Sequence, residues 1–279
     1  MKQKQVRSVI AGVVGILLAL VIVVKISINI KKEFTGRSDK HKTEEAEANR
    51  ADTTLGDTPH DYEIDMVRVE GGKFYMGDFN GNRDEQPKHA VIVKSFFIGK
   101  YEVTQNQWKA MMGKNPSKYK CGECPVESVS WDDAQLFINK LNDKVGSERY
   151  TLPTEAEWEF AATGGKKSKD YRYSGGDDPD EVGWYMNNSN DNIHKAGTKQ
   201  PNELGICDMS GNVKEWCSDW YDDYHSGLQR DPAGPATGDF RVIRGGGMTD
   251  TNVDCSSRYR SCGYPQYGFP NVGFRVVAR

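Results

Sequence analysis

The stretch Leu152-Pro-Thr-Glu-Ala-Glu-Trp-Glu-Phe-Ala-Ala162 combines a helix start with a short run of apolar residues. Thr154 and Glu157 form a capping box, in which each side chain accepts a hydrogen bond from a backbone N–H group at the start of a helix. Trp158 and Ala161 then fall on the side expected to be buried. The pattern predicts a short helix directly after Thr154.

Two further helices are predicted upstream by the same kind of start signal. Thr104 precedes the helical segment 105–112, and Ser130 precedes the segment 131–141. Apolar residues of the second segment recur at helical spacing and form one buried face. They are Trp131, Ala134, Ile138 and Leu141.

Strand signals occur before and after these helices. Residues 65–77 alternate around a Gly-Gly pair and predict a hairpin, and segments 89–99 and 101–104 predict further strands. We expect a final strand pair at 240–244 and 273–278. Long stretches rich in Gly, Asn, Asp and Pro separate these elements. The predicted fold class is therefore α+β and rich in irregular structure.

The first 61 residues divide into three segments. Residues 1–8 form a short basic tail, and residues 9–30 an apolar run of about 20 residues, long enough to span a bilayer. A cleaved signal peptide is the alternative, but its apolar run would be shorter and a small-x-small cleavage site would follow. Residues 31–61 are too polar to offset the entropy of ordering. We therefore expect a cytoplasmic tail, a transmembrane signal anchor, a disordered tether and a folded domain at 62–279.

The cysteines indicate where this domain lies. All six follow the apolar run: Cys121, Cys124, Cys207, Cys217, Cys255 and Cys262. An even number of cysteines after a membrane-targeting segment is typical of disulfides in an oxidising compartment. A single-pass membrane protein with its C-terminal domain in the periplasm or at the cell surface is therefore expected. For Cys121 and Cys124, a structural disulfide or two loop thiols is favoured over half a zinc site or a redox motif, because a second CxxC is missing.

The net charge argues against one class of function, and a set of oxygen-bearing groups indicates a candidate metal site. The formal net charge is -3 with no basic patch, which argues against a nucleic-acid partner. Asp208 and Glu215 flank a glycine-centred turn that can direct the carbonyl oxygens of Gly211 and Val213 inward. Hard oxygen ligands of mixed side-chain and backbone origin suit calcium. The alternative is an acidic loop capped by its own backbone.

Many short motifs follow one another from about residue 66 to 279. They are Val67-Arg-Val-Glu-Gly-Gly-Lys-Phe-Tyr-Met-Gly, Tyr101-Glu-Val-Thr, Pro125-Val-Glu-Ser-Val-Ser-Trp, the 152–162 stretch, Pro201-Asn-Glu-Leu-Gly, Asp208-Met-Ser-Gly-Asn-Val, Glu215-Trp-Cys-Ser-Asp-Trp, Arg241-Val-Ile-Arg-Gly-Gly and Gly273-Phe-Arg. This ordered set resembles the formylglycine-generating enzyme (sulfatase-modifying factor) domain. The resemblance implies a C-type-lectin-like variant fold. It also implies a structural calcium ion with ligands at Asp208, Gly211, Val213 and Glu215.

The same resemblance bears on catalysis. Enzymes of this family oxidise a cysteine of a client sulfatase to formylglycine, using oxygen and a copper ion held by two cysteines. Matched to the family, the second cysteine is Cys255, the first falls on Asp250, and a family serine falls on Gly247. A cuprous ion prefers two thiolates to a thiolate and a carboxylate. The resemblance therefore implies that copper is not bound, and we expect Cys255 to pair with Cys217 instead.

Three functions are compatible with these sequence features. The first is a calcium-stabilised, non-catalytic binding or assembly module that meets an unknown protein or small-molecule ligand outside the cytoplasm. The second is a divergent metal-dependent oxidase acting on a protein or thiol substrate. The third is a structural subunit of an envelope machine. For a binding module, the expected ligand surface carries a mixture of aromatic and hydrogen-bonding groups. These are Asp250, Asn252, Asp254, Arg258, Tyr259 and Arg260.

Overall fold

The computed structural model describes residues 62–279. The predicted tail, anchor and tether at 1–8, 9–30 and 31–61 lie outside the described residues. Within 62–279, none of the helices has the length and apolar character needed to cross a membrane.

The described chain has eleven strands and four α-helices. The strands are β1 (Met66–Val69), β2 (Gly72–Met76), β3 (His89–Val93), β4 (Phe96–Gly99), β5 (Tyr150–Thr151), β6 (Lys214–Trp220), β7 (Gln229–Arg230), β8 (Arg241–Arg244), β9 (Arg260–Gly263), β10 (Val272–Gly273) and β11 (Val277–Ala278). The helices are α1 (Gln105–Met112), α2 (Trp131–Val145), α3 (Glu155–Ala162) and α4 (Pro179–Val182). Several small sheets with few helices confirm the α+β class. The lectin-like variant remains a prediction.

The strands form three sheets. Across the first sheet the order is β1-β4-β11-β5, across the second β10-β6-β8-β9, and across the third β2-β3-β7. Pairing is antiparallel except for β10 with β6 and β7 with β3, which are parallel. Because the N-terminal strand and the C-terminal strand both pair with β4, the first sheet joins the two ends of the domain.

The predicted hairpin over 65–77 is wrong, because β1 and β2 do not pair with each other. Instead β1 pairs with β4 and β2 pairs with β3, so the hairpin has the arms 66–76 and 89–99. Both arms pass from one sheet to the next where Gly71 meets the backbone of the opposite arm. A Cβ atom at Gly71 would lie 2.5 Å from the Ser95 nitrogen, so this close approach requires glycine.

Two other strand predictions are corrected. The segments 240–244 and 273–278 do not pair, because β8 lies between β6 and β9 whereas β11 lies between β4 and β5. The segment 101–104 is not a strand and contributes a single bridge from Thr104 to Pro125. The aliphatic residues of these segments are buried as expected. An apolar pattern predicts that a segment is buried, but it does not predict the strand with which the segment pairs.

The three predicted helices are confirmed, each with its capping box. Thr104, Ser130 and Thr154 accept hydrogen bonds from the third backbone N–H group of α1, α2 and α3. Helix α2 extends to Val145 and ends where Gly146 adopts φ 66°, a left-handed conformation that favours glycine.

Helix α3 lies at the centre of the domain, and all eight of its residues are buried. Its apolar residues join the first core, together with β2, β3 and β8. A second core packs α2 against the C-terminal strands, with Trp108 stacked on Phe137 at 5.6 Å between ring centres. A helix that is buried on every side also buries its three glutamates, and each of these side chains needs a hydrogen-bonding or charged partner within the domain.

Replacing Thr154 with alanine removes the cap of this buried helix. We expect Thr154→Ala to lower the free energy of unfolding by about 1 kcal/mol, because a backbone N–H group of α3 loses its acceptor. Urea unfolding followed by circular dichroism measures the change. Thr237→Ala is the matched control, since Thr237 is exposed and should change the stability by less than about 0.5 kcal/mol. Equal effects of both variants would contradict this role of the cap.

Candidate functional site

Two of the three glutamates of α3, Glu155 and Glu159, are held by two buried arginines from the second sheet. The Arg244 side chain is 0% exposed and donates to Glu155 at 3.1 Å and to Glu159 at 2.5 Å. Arg260 donates to both carboxylate oxygens of Glu155, at 2.6 and 2.8 Å. Burial alone would raise the pKa of Glu155, but the two guanidinium groups hold that pKa below its ordinary value. These contacts join α3 to β8 and β9.

The predicted calcium loop is deeply buried. Asp208 adopts φ 57° and is 3% exposed. Its Oδ2 accepts a hydrogen bond from the Gly197 N–H at 2.6 Å, whereas its Oδ1 is enclosed and has no hydrogen-bond partner among the described residues. Burial raises the pKa of Asp208 to about 6, against the opposing effects of the Gly197 N–H and the Arg275 charge. A buried carboxylate oxygen without a protein partner is one that a proton or a bound cation could satisfy.

Glu215, the second carboxylate predicted to ligate calcium, is instead held by protein donors. Arg275 donates to its Oε1 at 2.6 Å and to its Oε2 at 2.7 Å, and the Trp158 indole N–H donates to Oε2 at 2.8 Å. Both oxygens of Glu215 therefore have protein partners. In residues 62–279 there is no group of three or more His, Cys, Asp or Glu side chains placed to share a metal ion.

A third carboxyl group, which the sequence analysis did not single out, lies in the same interior. Glu102 is 0% exposed, and its Oε1 accepts a long hydrogen bond of 3.4 Å from the Val213 N–H. Burial raises the pKa of Glu102 well above its ordinary value, and the neighbouring Asp208 and Glu215 add to this rise. When ionised, the three carboxylates outnumber the single guanidinium of Arg275 by two charges. A divalent cation would balance this excess.

The positions matched to the copper site carry other contacts. Asp250 forms an ion pair with Lys214, with Oδ2 at 3.0 Å from Nζ. A Cβ atom at Gly247 would lie 2.2 Å from Oδ1 of Asn271, so a serine does not fit there unless the asparagine moves. Cys255 is 2% exposed, and burial raises the pKa of its thiol. The Cys255 thiol is thus buried, Gly247 has no side chain, and the partly exposed Asp250 carboxylate is paired with Lys214.

The cysteines pair only in part as expected. Cys121 and Cys124 form a disulfide, which confirms one of the favoured alternatives for the CxxC motif. The expected Cys255–Cys217 bridge is wrong, because both residues are buried free thiols, as is Cys207. Cys217 packs in the first core, whereas Cys255 packs in a separate cluster with tyrosines. The two thiols therefore belong to different parts of the interior.

The predicted ligand surface is divided. Arg258 and Arg260 are only 8% and 4% exposed, and both are paired with carboxylates. The other four are partly exposed: Asp250, Asn252, Asp254 and Tyr259. A single face made by all six residues is therefore not present. Buried and partly exposed positions alternate from Arg258 to Arg260, where the chain enters β9, and the sequence offered only a weak signal for this alternation.

Comparisons with known proteins agree with this architecture. The profile of the sulfatase-modifying factor enzyme 1-like domain matches residues 52–279, and the chain belongs to this family. A protein named chaperone protein LppX from Paenibacillus barcinonensis is 36% identical, over 76% of this chain and 89% of that protein. A formylglycine-generating enzyme from Streptomyces coelicolor is 37% identical, over 55% of this chain and 52% of that protein.

Other relatives carry the domain in different settings. A protein named serine/threonine-protein kinase pkn1 from Chlamydia pneumoniae is 34% identical, and the chain spans only 38% of its length. Among solved structures, Treponema denticola variable protein 1 superposes with a TM-score of 0.71 and 32% identity, over 77% of this chain and 94% of that one. The family thus includes proteins named as enzymes and proteins named otherwise.

Removing Arg275 tests the buried charge cluster. We expect Arg275→Met to lower the free energy of unfolding by about 3–5 kcal/mol, because Glu215 then lacks its buried counter-charge. Arg279→Met is the matched control. Its pair with Glu157 is 45% exposed on the arginine side, and its loss should cost about 1 kcal/mol or less. Denaturant unfolding measures both changes, and similar values for the two variants would refute the importance of the buried pair.

Proposed function

We propose that residues 62–279 form a non-catalytic binding or assembly module, displayed outside the cytoplasm by an anchor in residues 9–30. The observation that carries this proposal is the state of Cys255, whose thiol is sealed in a tyrosine-rich cluster. Thiolates, not thiols, bind copper and react with oxygen or substrates. A buried thiol with a raised pKa is poorly suited to either role.

The neighbouring positions support the same conclusion. Asp250 is neutralised by Lys214, so its carboxylate is engaged in an ion pair where the family has its first copper cysteine. The space that a serine would need at Gly247 is filled by Asn271, whose side chain also accepts a hydrogen bond from the Met248 N–H at 3.1 Å. The positions that match the family copper site therefore make other contacts in this protein.

The relatives are consistent with a role other than catalysis. The relative named as a chaperone protein matches over most of its own length, which favours assembly or binding as a use of this domain. The relatives named formylglycine-generating enzymes match over about half of theirs, for example 52% for the Streptomyces coelicolor protein. The alternative function is a divergent metal-dependent oxidase, which stoichiometric copper or iron in the purified protein would support.

We also propose a structural calcium ion at the Asp208 loop. The residues fit such an ion with one change from the family pattern: Asp208 supplies the free carboxylate oxygen, whereas Glu215 is shared with Arg275. Gly211 and Val213 would contribute carbonyl oxygens, and no loop hydrogen bond among the described residues ends on either oxygen. The ion would supply the positive charge that the buried carboxylates lack.

Metal content tests the proposed module directly. We expect elemental analysis of the full-length protein, purified from an oxidising compartment, to give about one equivalent of calcium and no copper or iron. Stoichiometric copper or iron that is lost in Cys255→Ala would overturn the non-catalytic assignment.

A calcium titration tests the role of the loop. Free calcium at 100 times its Kd should raise the free energy of unfolding by about 2.7 kcal/mol, because only the folded state has the site. We expect Asp208→Asn to abolish this gain in thermal melts, whereas the exposed control Asp239→Asn should keep it. An equal gain in both variants would place the calcium elsewhere.

A further inference from the structure

A cavity of about 320 Å³ opens beside the start of α3 and the end of β6. Much of its lining comes from residues 222–235, which include β7. Its lining includes neither the Asp208 loop nor Asp250 or Cys255. Apolar surface comes from Met76, Ala156 and Pro235, and acidic groups lie at its floor and rim. The cavity therefore offers an apolar wall and a negative end.

Asp219 is the acidic group at the floor. It is 5% exposed, and its Oδ2 accepts hydrogen bonds from the Glu155 N–H and the Ser218 hydroxyl, each at 3.0 Å. Its Oδ1 accepts none from any described residue, yet unlike Oδ1 of Asp208 it is not enclosed. Burial raises the pKa of Asp219 to about 7, and the nearby Glu155 charge adds to the rise. Asp219 thus lines the cavity with one carboxylate oxygen that is not enclosed and has no donor among the described residues.

The nearby cationic side chains are already committed elsewhere. Arg260 lines the cavity, but its guanidinium donates to Glu155 and to two backbone carbonyls. Arg241 donates to the Ser218 carbonyl and stacks on Trp220, with its guanidinium carbon 3.5 Å from the ring centre. Neither donates to Asp219.

The rim of the cavity adds further negative charge. Asp222 and Asp223 are both exposed there. His225 lies 4.0 Å from Asp222 and, when protonated, offsets one of these two charges. An excess of carboxylate over cation remains, which selects for a positively charged ligand.

We propose that this cavity binds a primary ammonium group on an aliphatic stem, such as a lysine side chain, with Oδ1 of Asp219 as the acceptor. A compact ammonium needs only one free oxygen, whereas the planar fork of a guanidinium is best matched by two. The apolar wall suits the methylene stem that lysine carries behind its charge. This inference rests on the proposed binding module and gives it a class of ligand.

Calorimetric titration of the full-length protein tests the assignment with small probes. We expect Nα-acetyl-lysine amide to bind at least about tenfold more tightly than its Nε-acetylated and norleucine analogues, a difference of about 1.4 kcal/mol. Cadaverine serves as the free-amine arm. Binding of the lysine probe points to a protein segment as the source of the ammonium group, and binding of cadaverine alone points to a free amine; both support the site. Equal binding of the Nε-acetylated probe overturns it.

Variants connect the binding to the cavity. Asp219→Asn, which keeps an oxygen acceptor in place, should weaken the lysine probe at least about tenfold. Asp223→Asn changes an exposed rim residue and should weaken binding of the lysine probe about twofold to threefold. The exposed control Asp239→Asn lies outside the lining and should bind normally. Unchanged binding of the lysine probe in Asp219→Asn overturns the proposal, whatever the effect of Asp223→Asn.

Elemental analysis distinguishes failure of the non-catalytic module from failure of the ammonium-binding cavity. Calcium without copper, together with no ammonium binding, would overturn only the cavity assignment. Copper in a protein that still binds the lysine probe would overturn the non-catalytic module and leave the ligand specificity of the cavity standing.

Discussion

The pairing of Arg244 with Glu155 and Glu159 is the contact on which the rest of the domain depends. It places a full positive charge at 0% exposure inside the second sheet and gives it two carboxylates from one helix. Removing either side would leave an uncompensated charge in the interior, which costs far more than a lost surface pair. Because Arg260 shares Glu155, the register of β8 and β9 against α3 is fixed by charge as well as by packing.

Buried carboxylates also pair with an arginine near the Asp208 loop, but there the arginine compensates only one of the three carboxylates. Arg275 satisfies Glu215, while Asp208 and Glu102 remain without a cation in the described residues. The two buried clusters therefore differ in kind. One is balanced by the chain itself, and the other requires either protons or an added ion. The cavity beside α3 presents a third case, in which Asp219 lacks a cationic partner but is open to a ligand.

Local signals predicted the helices well, because each capping box is made within four residues of chain. They did not predict pairing of the strands, since the partner of β1 lies beyond a turn and a bend at Gly71 that no short-range pattern marks. The position of Asp208 followed from motif order, but its partner Glu102 comes from 106 residues earlier and carries no motif for calcium. A signal for the buried arginines was present. Arg244 ends the apolar strand β8, and Arg275 lies in the apolar segment between β10 and β11, where an arginine needs a buried counter-charge.

The order of strands in the first sheet also determines when the domain can fold. β11, at residues 277–278, lies between β4 and β5, so that sheet has a gap until the last residues of the domain have been made. During synthesis from the N-terminus, β1 and β4 can pair early, yet one edge of β4 stays open while most of the domain is still to follow. Synthesis of residues 277–278, rather than emergence of any earlier segment, is therefore the event that permits closure of the domain.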